Sequence, residues 1–250
     1  MAPFTELNQQ LRIPQALLKT AIHQIQFAMA MQDIRYYLNG MLFSIQDNQL
    51  HLVATDGHRL AHTALTLPLT VSNQDIVLPR KTVLELAKSL KDDDSEVLLE
   101  LAPNQVKFRF SEQQTLVSKV IDGKYPDYTR VIPQHHDKHL VLERQPLLRA
   151  LLRAEILASE KFRGVRLLLE NGRLIISCTN SEQEEAQEEL DIEYQGTTLD
   201  IGFNIKYLLD MLTNVNSETL QISFGEAGHS ALFTLPTNAA FKYVVMPMRI

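Results

Sequence analysis

The chain has 250 residues, 45% hydrophobic and 22% charged, with 24 basic against 30 acidic side chains for a net charge of −6. That length suits about two domains, and no apolar run approaches the roughly 18–20 residues that span a bilayer. One cysteine, Cys178, excludes an internal disulfide or a cysteine-built zinc site, and Met1 to Glu6 lack the basic flank and apolar stretch of a signal peptide, so a cytoplasmic setting is expected.

Pro14 to Met29 reads as the first helix, with Leu18, Ile22, Ile25 and Met29 as its apolar stripe. Tyr37–Ile45 and Gln49–Thr55 read as strands joined by a Gln46-Asp47-Asn48 turn. Asp56-Gly57 then turns the chain into a third strand, Arg59–Leu67. A short strand, Asp75–Leu78, leads into a second helix near Pro79–Leu90, where proline suits a helix start. Three more short strands end near Ile121. Asp122 to Asp137, with two prolines, a glycine and no periodicity, reads as a connector. Beyond it the pattern recurs: helix Gln145–Ala158, hairpin strands to about Ile192, helix Asn204–Val215, and strands to the C-terminus.

The recurrence is an internal repeat. Leu38–Phe43 falls opposite Phe162–Leu167, Val53–Asp56 opposite Ser177–Asn180, Ile76–Leu86 opposite Ile201–Met211, and Gln105–Phe110 opposite Ser230–Leu235, at offsets of 124, 124, 125 and 125. The chain is expected to hold two copies of one α+β unit, residues 1–129 and 130–250, each a doubled motif of a helix followed by three strands.

Charge is unevenly placed. Acids gather in Asp92-Asp93-Asp94 and in Glu182 to Glu189, read as a loop and an exposed strand edge. The helices lean basic, through Lys19, Lys81, Lys88, Lys91, Arg149, Arg153 and Lys206. These are either ordinary solvated faces or one surface that accepts a polyanion through its phosphates, without base readout. Tyr36-Tyr37, beside Arg35 at the helix-to-strand junction, are either core and surface residues or contacts for a nucleic acid.

Signatures of chemistry are few. There is no Walker loop, Rossmann fingerprint or Gly-x-Ser-x-Gly elbow. Asp56-Gly57-His58 reads as a hairpin turn rather than an acid–base pair. His135, His136, Asp137 and His139 have metal-compatible types, but the connector offers no helix to fix their spacing. Cys178 reads as a small core residue. Met248 and Ile250 run further than a sheet needs, and flexible methionines suit adaptable partner binding. No cofactor, metal or catalytic residue is expected.

Several stretches resemble one family. Ile34 to Phe43 (IRYYLNGMLF), Val53 to Ala61 (VATDGHRLA), Asp122 to Tyr128 (DGKYPDY), Glu160 to Arg166 (EKFRGVR) and Tyr243 to Arg249 (YVVMPMR) are similar to the bacterial DNA polymerase III beta subunit, the replicative sliding clamp. The resemblance is collinear over essentially the whole chain. It implies two clamp domains with antiparallel sheets outside and two helices each on the inner face. They correspond to the family's second and third domains, and Met1 falls where the second begins. Six domains close the family's ring, so this chain is expected to act either as a trimer or as a monomer.

The implied function is a non-enzymatic processivity factor. It would encircle double-stranded DNA and tether the polymerase III alpha subunit, the clamp loader, and other polymerases and repair proteins through short linear motifs. If it does not encircle DNA, it would only bind or sequester clamp partners. The implied peptide groove comprises Leu38, Thr55, Gly57, His58, Arg59 and Leu60, then Pro126, Arg130, Val131, Phe162, Asn204, Tyr207, Val244, Met246, Pro247, Met248 and Arg249, an apolar trough with a few polar anchors. Gln32, Arg35, Tyr36, Tyr37, Lys81, Arg149, Arg153 and Lys206 would face DNA. Ile156 and Leu157 match a subunit-contact helix end.

Overall fold

The computed structural model describes residues 9–68, 72–158 and 163–250. The chain divides into two compact units, Met1–Asp127 and Tyr128–Ile250. Each is α+β, built on antiparallel sheets with two helices among the described residues.

In the first unit, β1 (Gln9–Pro14) precedes α1 (Gln15–Ile25). Strands β2 (Gly40–Gln46), β3 (Gln49–Thr55), β4 (Arg59–Thr66) and β5 (Gln74–Pro79) follow. Then come α2 (Arg80–Ser89), β6 (Glu96–Leu101), β7 (Gln105–Arg109) and β8 (Thr115–Lys119). The strand ahead of each helix joins the sheet of the other half. β1 pairs with β6, in the order β1-β6-β7-β8, and β5 pairs with β2, in the order β5-β2-β3-β4. Leu18, Ala21, Ile22 and Ile25 form the buried face of α1, which packs on β3 and β4. Thr82, Val83, Leu86 and Ala87 do the same for α2 against β2 and β5.

The second unit repeats this plan with β9 (Lys138–Glu143), α3 (Arg144–Glu155), β10 (Gly164–Glu170), β11 (Arg173–Thr179), β12 (Glu185–Asp191), β13 (Leu199–Asn204), α4 (Ile205–Asn214), β14 (Thr219–Phe224), β15 (Ala231–Leu235) and β16 (Asn238–Val245). Strand β9 pairs with β14, and β13 with β10. The starts of β2 and β10 are 124 residues apart and those of α2 and α4 are 125 apart, which are the offsets of the sequence repeat.

Five elements differ from the sequence reading. The first helix stops at Ile25, whose φ of −131° leaves the helical range, and a 3-10 turn over Gln26–Ala28 completes the stretch. Tyr36–Leu38 is a 3-10 turn instead of the start of a strand. The third helix ends at Glu155, and the next three amides bond three residues back, tightening Ile156–Ala158 into turns. Finally, β1 and β9 are strands that the helix-plus-three-strands grammar omits. Only Leu11 and Ile13 of β1, and Lys138 and Leu140 of β9, are buried, too short an alternation to stand out.

The acidic run behaves as an edge. Strand β12 borders its sheet with no buried residue, and its Glu188 takes a bidentate pair from Arg153 at 2.5 and 2.7 Å. Cys178 is buried, its thiol donates to the Gly164 carbonyl at 3.4 Å, and burial pushes its pKa up to about 11. Its thiolate is therefore scarce at neutral pH. We expect the native protein to react with a thiol reagent many-fold more slowly than the urea-unfolded chain; equal rates would contradict that burial.

Candidate partner-binding and DNA-facing sites

Within the first unit, the turn between β3 and β4 is fixed by its own side chains. The Thr55 hydroxyl donates to the Arg59 carbonyl at 2.6 Å and accepts from Gly57 N–H at 3.1 Å. Asp56 Oδ1 accepts from the amides of His58 and Arg59, while Oδ2 takes Arg59 Nε at 3.1 Å. Gly57 sits at φ +91° with the Arg35 guanidinium against it, so a β-carbon there would be strained and would meet Arg35 Nη2 at 2.8 Å. Leu38, Thr55 and Leu60 are buried, whereas Gly57 and His58 are exposed. The Arg59 side chain is only 9% exposed. It also donates to the Phe27 carbonyl at 2.9 Å and lies 5.5 Å over the Phe27 ring. Asp56 is thus committed to turn geometry and Arg59 to packing.

The loop from Ala30 to Asn39 is braced from inside. Asn39 accepts from the Asp33 amide and donates to the Asp33 carbonyl, and Ala30 N–H reaches the Leu38 carbonyl. Arg35 meets the Asp33 carboxylate through Nε at 3.0 Å and Nη2 at 2.8 Å, and also reaches the Asp56 carbonyl. That frame leaves the tip outward. Gln32 has a left-handed φ of +57°, Met31 is 73% exposed, Ile34 95% and Tyr36 57%, with Tyr36 and Tyr37 edge to face at 5.8 Å.

The Arg35 side chain holds the Asp33 carboxyl down to about 2, helped by the Arg35 amide. A depressed carboxylate pKa means that the interaction is fully present above the unfolded value of about 3.9 and is lost as pH falls through about 2. Carboxyl titration by NMR should show Asp33 still ionised near pH 3, and Arg35→Ala, which keeps the Arg35 amide, should raise it toward the ordinary range. An ordinary midpoint in the parent chain would break this account.

The basic helix residues fall into two groups. Lys19 pairs with Asp92 at 2.6 Å, Lys88 with Glu85 at 3.2 Å, Arg153 with Glu188, and Lys206 with Asp210 at 3.0 Å. Lys81, Lys91 and Arg149 are exposed and have no ion-pair partner among the described residues. Of the DNA-facing candidates, Lys81 and Arg149 therefore carry uncompensated charge, while Arg153 and Lys206 are partly neutralised. Ile156, at 81% exposure, and the half-buried Leu157 lie in the turn after α3.

In the second unit, the segment after β16 folds onto a floor made by two glycines. Met248 N–H donates to the Gly202 carbonyl at 2.8 Å. Ile250 lies across Gly202 and Gly164. A β-carbon on Gly202 would overlap the Ile250 side chain and approach the Met248 carbonyl to 2.7 Å, and one on Gly164 would meet Ile250 Cγ2 at 2.7 Å. An open pocket of about 870 Å³ lies here, with Gly164, Arg166, Asp200, Ala227, Met248 and Ile250 in its lining. Arg166 and Asp200 form a bidentate pair across it at 2.8 and 2.5 Å.

Among the groove candidates of this unit, Val244 is buried, Met246 and Arg249 are exposed, and Pro247 and Met248 are half-buried. The Tyr207 carbonyl accepts from the Tyr243 hydroxyl at 2.8 Å. Arg130 and Val131 are exposed on a 3-10 turn over Tyr128–Val131, and Pro126 is exposed ahead of it. Phe162 lies outside the described residues. Gly164, Gly202, Arg166 and Asp200 were not singled out from the sequence. A glycine inside each of two strands was the available signal, since strand glycines mark close backbone approach.

Asn204 caps α4 by accepting from Lys206 N–H at 3.0 Å, and among the described residues it is the only N-cap of the four α-helices with a side-chain bond. Asn204→Ala should cost about 1 kcal/mol of stability in urea unfolding; no change would show that the cap is idle.

Family models for the DNA polymerase III beta subunit match the chain twice, the central domain over residues 12–127 and the C-terminal domain over residues 129–249. The chain belongs to the DNA polymerase III beta subunit family. A beta sliding clamp of Pseudomonas putida is 44% identical over 239 residues, covering 95% of this chain and 65% of that protein. The beta sliding clamp of Salmonella typhimurium is 42% identical with the same coverage. The chain thus spans just under two thirds of the length of these relatives. A crystal structure of the Pseudomonas aeruginosa sliding clamp with ligand superposes with a TM-score of 0.97 at 43% identity, over all of this chain and 68% of that one. Another from the same organism, bound to griselimycin, gives 0.96. The beta-subunit fold, α+β with antiparallel sheets, is therefore shared. No helix among the described residues is long and apolar enough to cross a membrane.

Proposed function

We propose that this chain is a sliding-clamp module of bacterial DNA replication that captures partner proteins by short linear motifs, without catalysing a reaction. The observation that carries this reading is the Met246–Ile250 segment. It presents flexible apolar side chains beside an open pocket while Met248 N–H and Ile250 hold it to Gly202 and Gly164. An adaptable apolar surface with a few charged anchors suits a peptide partner. The proposed contacts are the groove residues named from the family resemblance. The partners are the polymerase III alpha subunit, the clamp loader, and other polymerases and repair proteins.

Fluorescence polarisation with a labelled Gln-Leu-x-Leu-Phe peptide tests the reading. Saturable binding is expected, with Met248→Ala weakening it about tenfold, which corresponds to about 1.4 kcal/mol. Undiminished binding by a chain lacking Met246–Ile250 would remove this segment from the site.

Association with double-stranded DNA is proposed to be independent of sequence and to run through Lys81, Arg149 and the Gln32–Tyr37 loop, because phosphate contacts carry no base information. Encirclement further needs a closed ring, for which Ile156 and Leu157 are the proposed contact. Light scattering over a wide concentration range separates the alternatives. A mass near three chains would support encirclement, and a single-chain mass would leave partner capture as the function.

A further inference from the structure

Two Asn-Gly dipeptides occur in the chain, Asn39-Gly40 and Asn171-Gly172. Such a pair carries a reaction of its own. Because glycine has no side chain to obstruct or stiffen it, its amide nitrogen can reach the side-chain carbonyl carbon of the asparagine before it. The structure treats the two pairs unequally. Asn39 is half-buried, accepts from the Asp33 amide at 2.9 Å and donates to the Asp33 carbonyl at 2.8 Å. Its side chain cannot turn toward the next nitrogen without breaking both bonds. Gly40 is itself buried in β2 opposite Pro79, where a β-carbon would overlap the Leu78 carbonyl oxygen.

Asn171-Gly172 is the turn between β10 and β11, with Glu170 opposite Arg173. Both residues are exposed, and the Asn171 side chain has no hydrogen-bond partner among the described residues. Gly172 lies at φ +79°, and a β-carbon on it would meet nothing within 4 Å, so the space around it is open. One restraint opposes the reaction: Gly172 N–H donates to the Tyr194 carbonyl at 2.9 Å, and that bond must open before the nitrogen can attack. It sits at the exposed end of a hairpin, where local opening costs less than it does inside a sheet.

We propose that Asn171 is a site of spontaneous deamidation in the folded protein and that the Asp33 frame shields Asn39 from the same reaction. The Gly172 nitrogen loses its proton to solvent and bonds to Asn171 Cγ, and the side-chain nitrogen leaves as ammonia, which closes a cyclic imide. Water then opens the imide at one carbonyl or the other, giving aspartate or isoaspartate. One ammonia is exchanged for one water, and nothing is oxidised or reduced. The proposal stands apart from peptide capture and from DNA. The new carboxylate would join Glu170 and Glu189, which already share Arg173 at 2.5 and 4.0 Å. Isoaspartate also lengthens the backbone ahead of Gly172, whose N–H and carbonyl hold Tyr194 and Ile192. That product should therefore detach the turn from the segment after β12.

Ageing the full chain in mildly alkaline buffer made with heavy-oxygen water, followed by peptide mapping by mass spectrometry, reads the site. In the native protein Asn171 should convert at least about tenfold faster than Asn39, because only Asn39 needs its supporting structure to open. Its new carboxyl should carry one heavy oxygen, and part of the product should accept methyl from an isoaspartyl methyltransferase. In the urea-unfolded chain the two rates should come within about threefold of each other, since the protection of Asn39 is lost with the fold. That comparison uses the unsubstituted protein and so does not depend on a variant folding. Asn39→Ser should leave conversion at Asn171 unchanged. Native Asn39 reacting as fast as Asn171, or Asn171 staying intact while the unfolded chain converts, would each overturn the proposal.

Discussion

Gly202→Ala is expected to release the C-terminal segment while leaving the fold intact. The added methyl would occupy the space that Ile250 fills and would press on the Met248 carbonyl. A flexible side chain can swing away, but a backbone carbonyl cannot give without moving the segment that carries it. The hydrogen bond from Met248 N–H to the Gly202 carbonyl should open with it. Two readouts separate the steps. Hydrogen exchange at the Met248 amide should accelerate markedly, and affinity for the clamp-binding peptide should fall about tenfold, or about 1.4 kcal/mol. Gly228→Ala, where a β-carbon meets nothing within 4 Å, is the control. Unchanged exchange would refute the seat itself. Faster exchange with full affinity would leave the seat in place and detach it from binding.

Arg59→Ala is expected to cause the larger loss of stability, about 3 kcal/mol, because it removes one partner of a largely buried ion pair. Three interactions go together: the pair with Asp56, the bond to the Phe27 carbonyl and the stacking over the Phe27 ring. Asp56 Oδ1 keeps its two backbone donors, so the turn should survive locally while its attachment to the 3-10 turn after α1 weakens. Arg59→Lys should recover only part of the loss, since an ammonium cannot reproduce the planar fork. Urea unfolding should show a lower midpoint at an unchanged slope. A change below about 0.5 kcal/mol, the size of an ordinary surface substitution, would show that the contacts are incidental. Weak peptide binding by this variant is interpretable only where it is still folded.

These two residues mark how far the sequence could be read. The strands flanking Asp56-Gly57 were legible because alternation and a strong turn dipeptide coincide there, and β3 falls on the expected Gln49–Thr55. The repeat was legible because the offset of its elements is nearly constant. Strands β1 and β9 were not, because each buries only two positions and owes its existence to a partner more than 70 residues away. The role of Arg59 was hidden for a similar reason: its partner Phe27 belongs to another element, and no periodicity reports it. Gly164 and Gly202 were visible as strand glycines, but what approaches them is a segment about 50 to 85 residues later in the chain. Contacts within one element are written in the local pattern, whereas contacts between elements depend on the finished packing.

The exchange of the strands ahead of the helices bears on how each unit folds. Strand β1 finds its partner only after β6 exists, with Gln9 opposite Leu101, and β9 waits in the same way for β14, with Glu143 opposite Thr219. Strand β1 and strand β9 are thus each held by a strand from the second half of the unit, and closing that loop costs chain entropy before any pairing repays it. During synthesis, α1 and the β2–β4 hairpins can assemble while β1 remains a free strand for as long as the next several dozen residues take to emerge. Cutting a unit between its halves would leave β1 without a sheet and β2 with an open edge, so half-units should associate with each other or aggregate rather than persist alone.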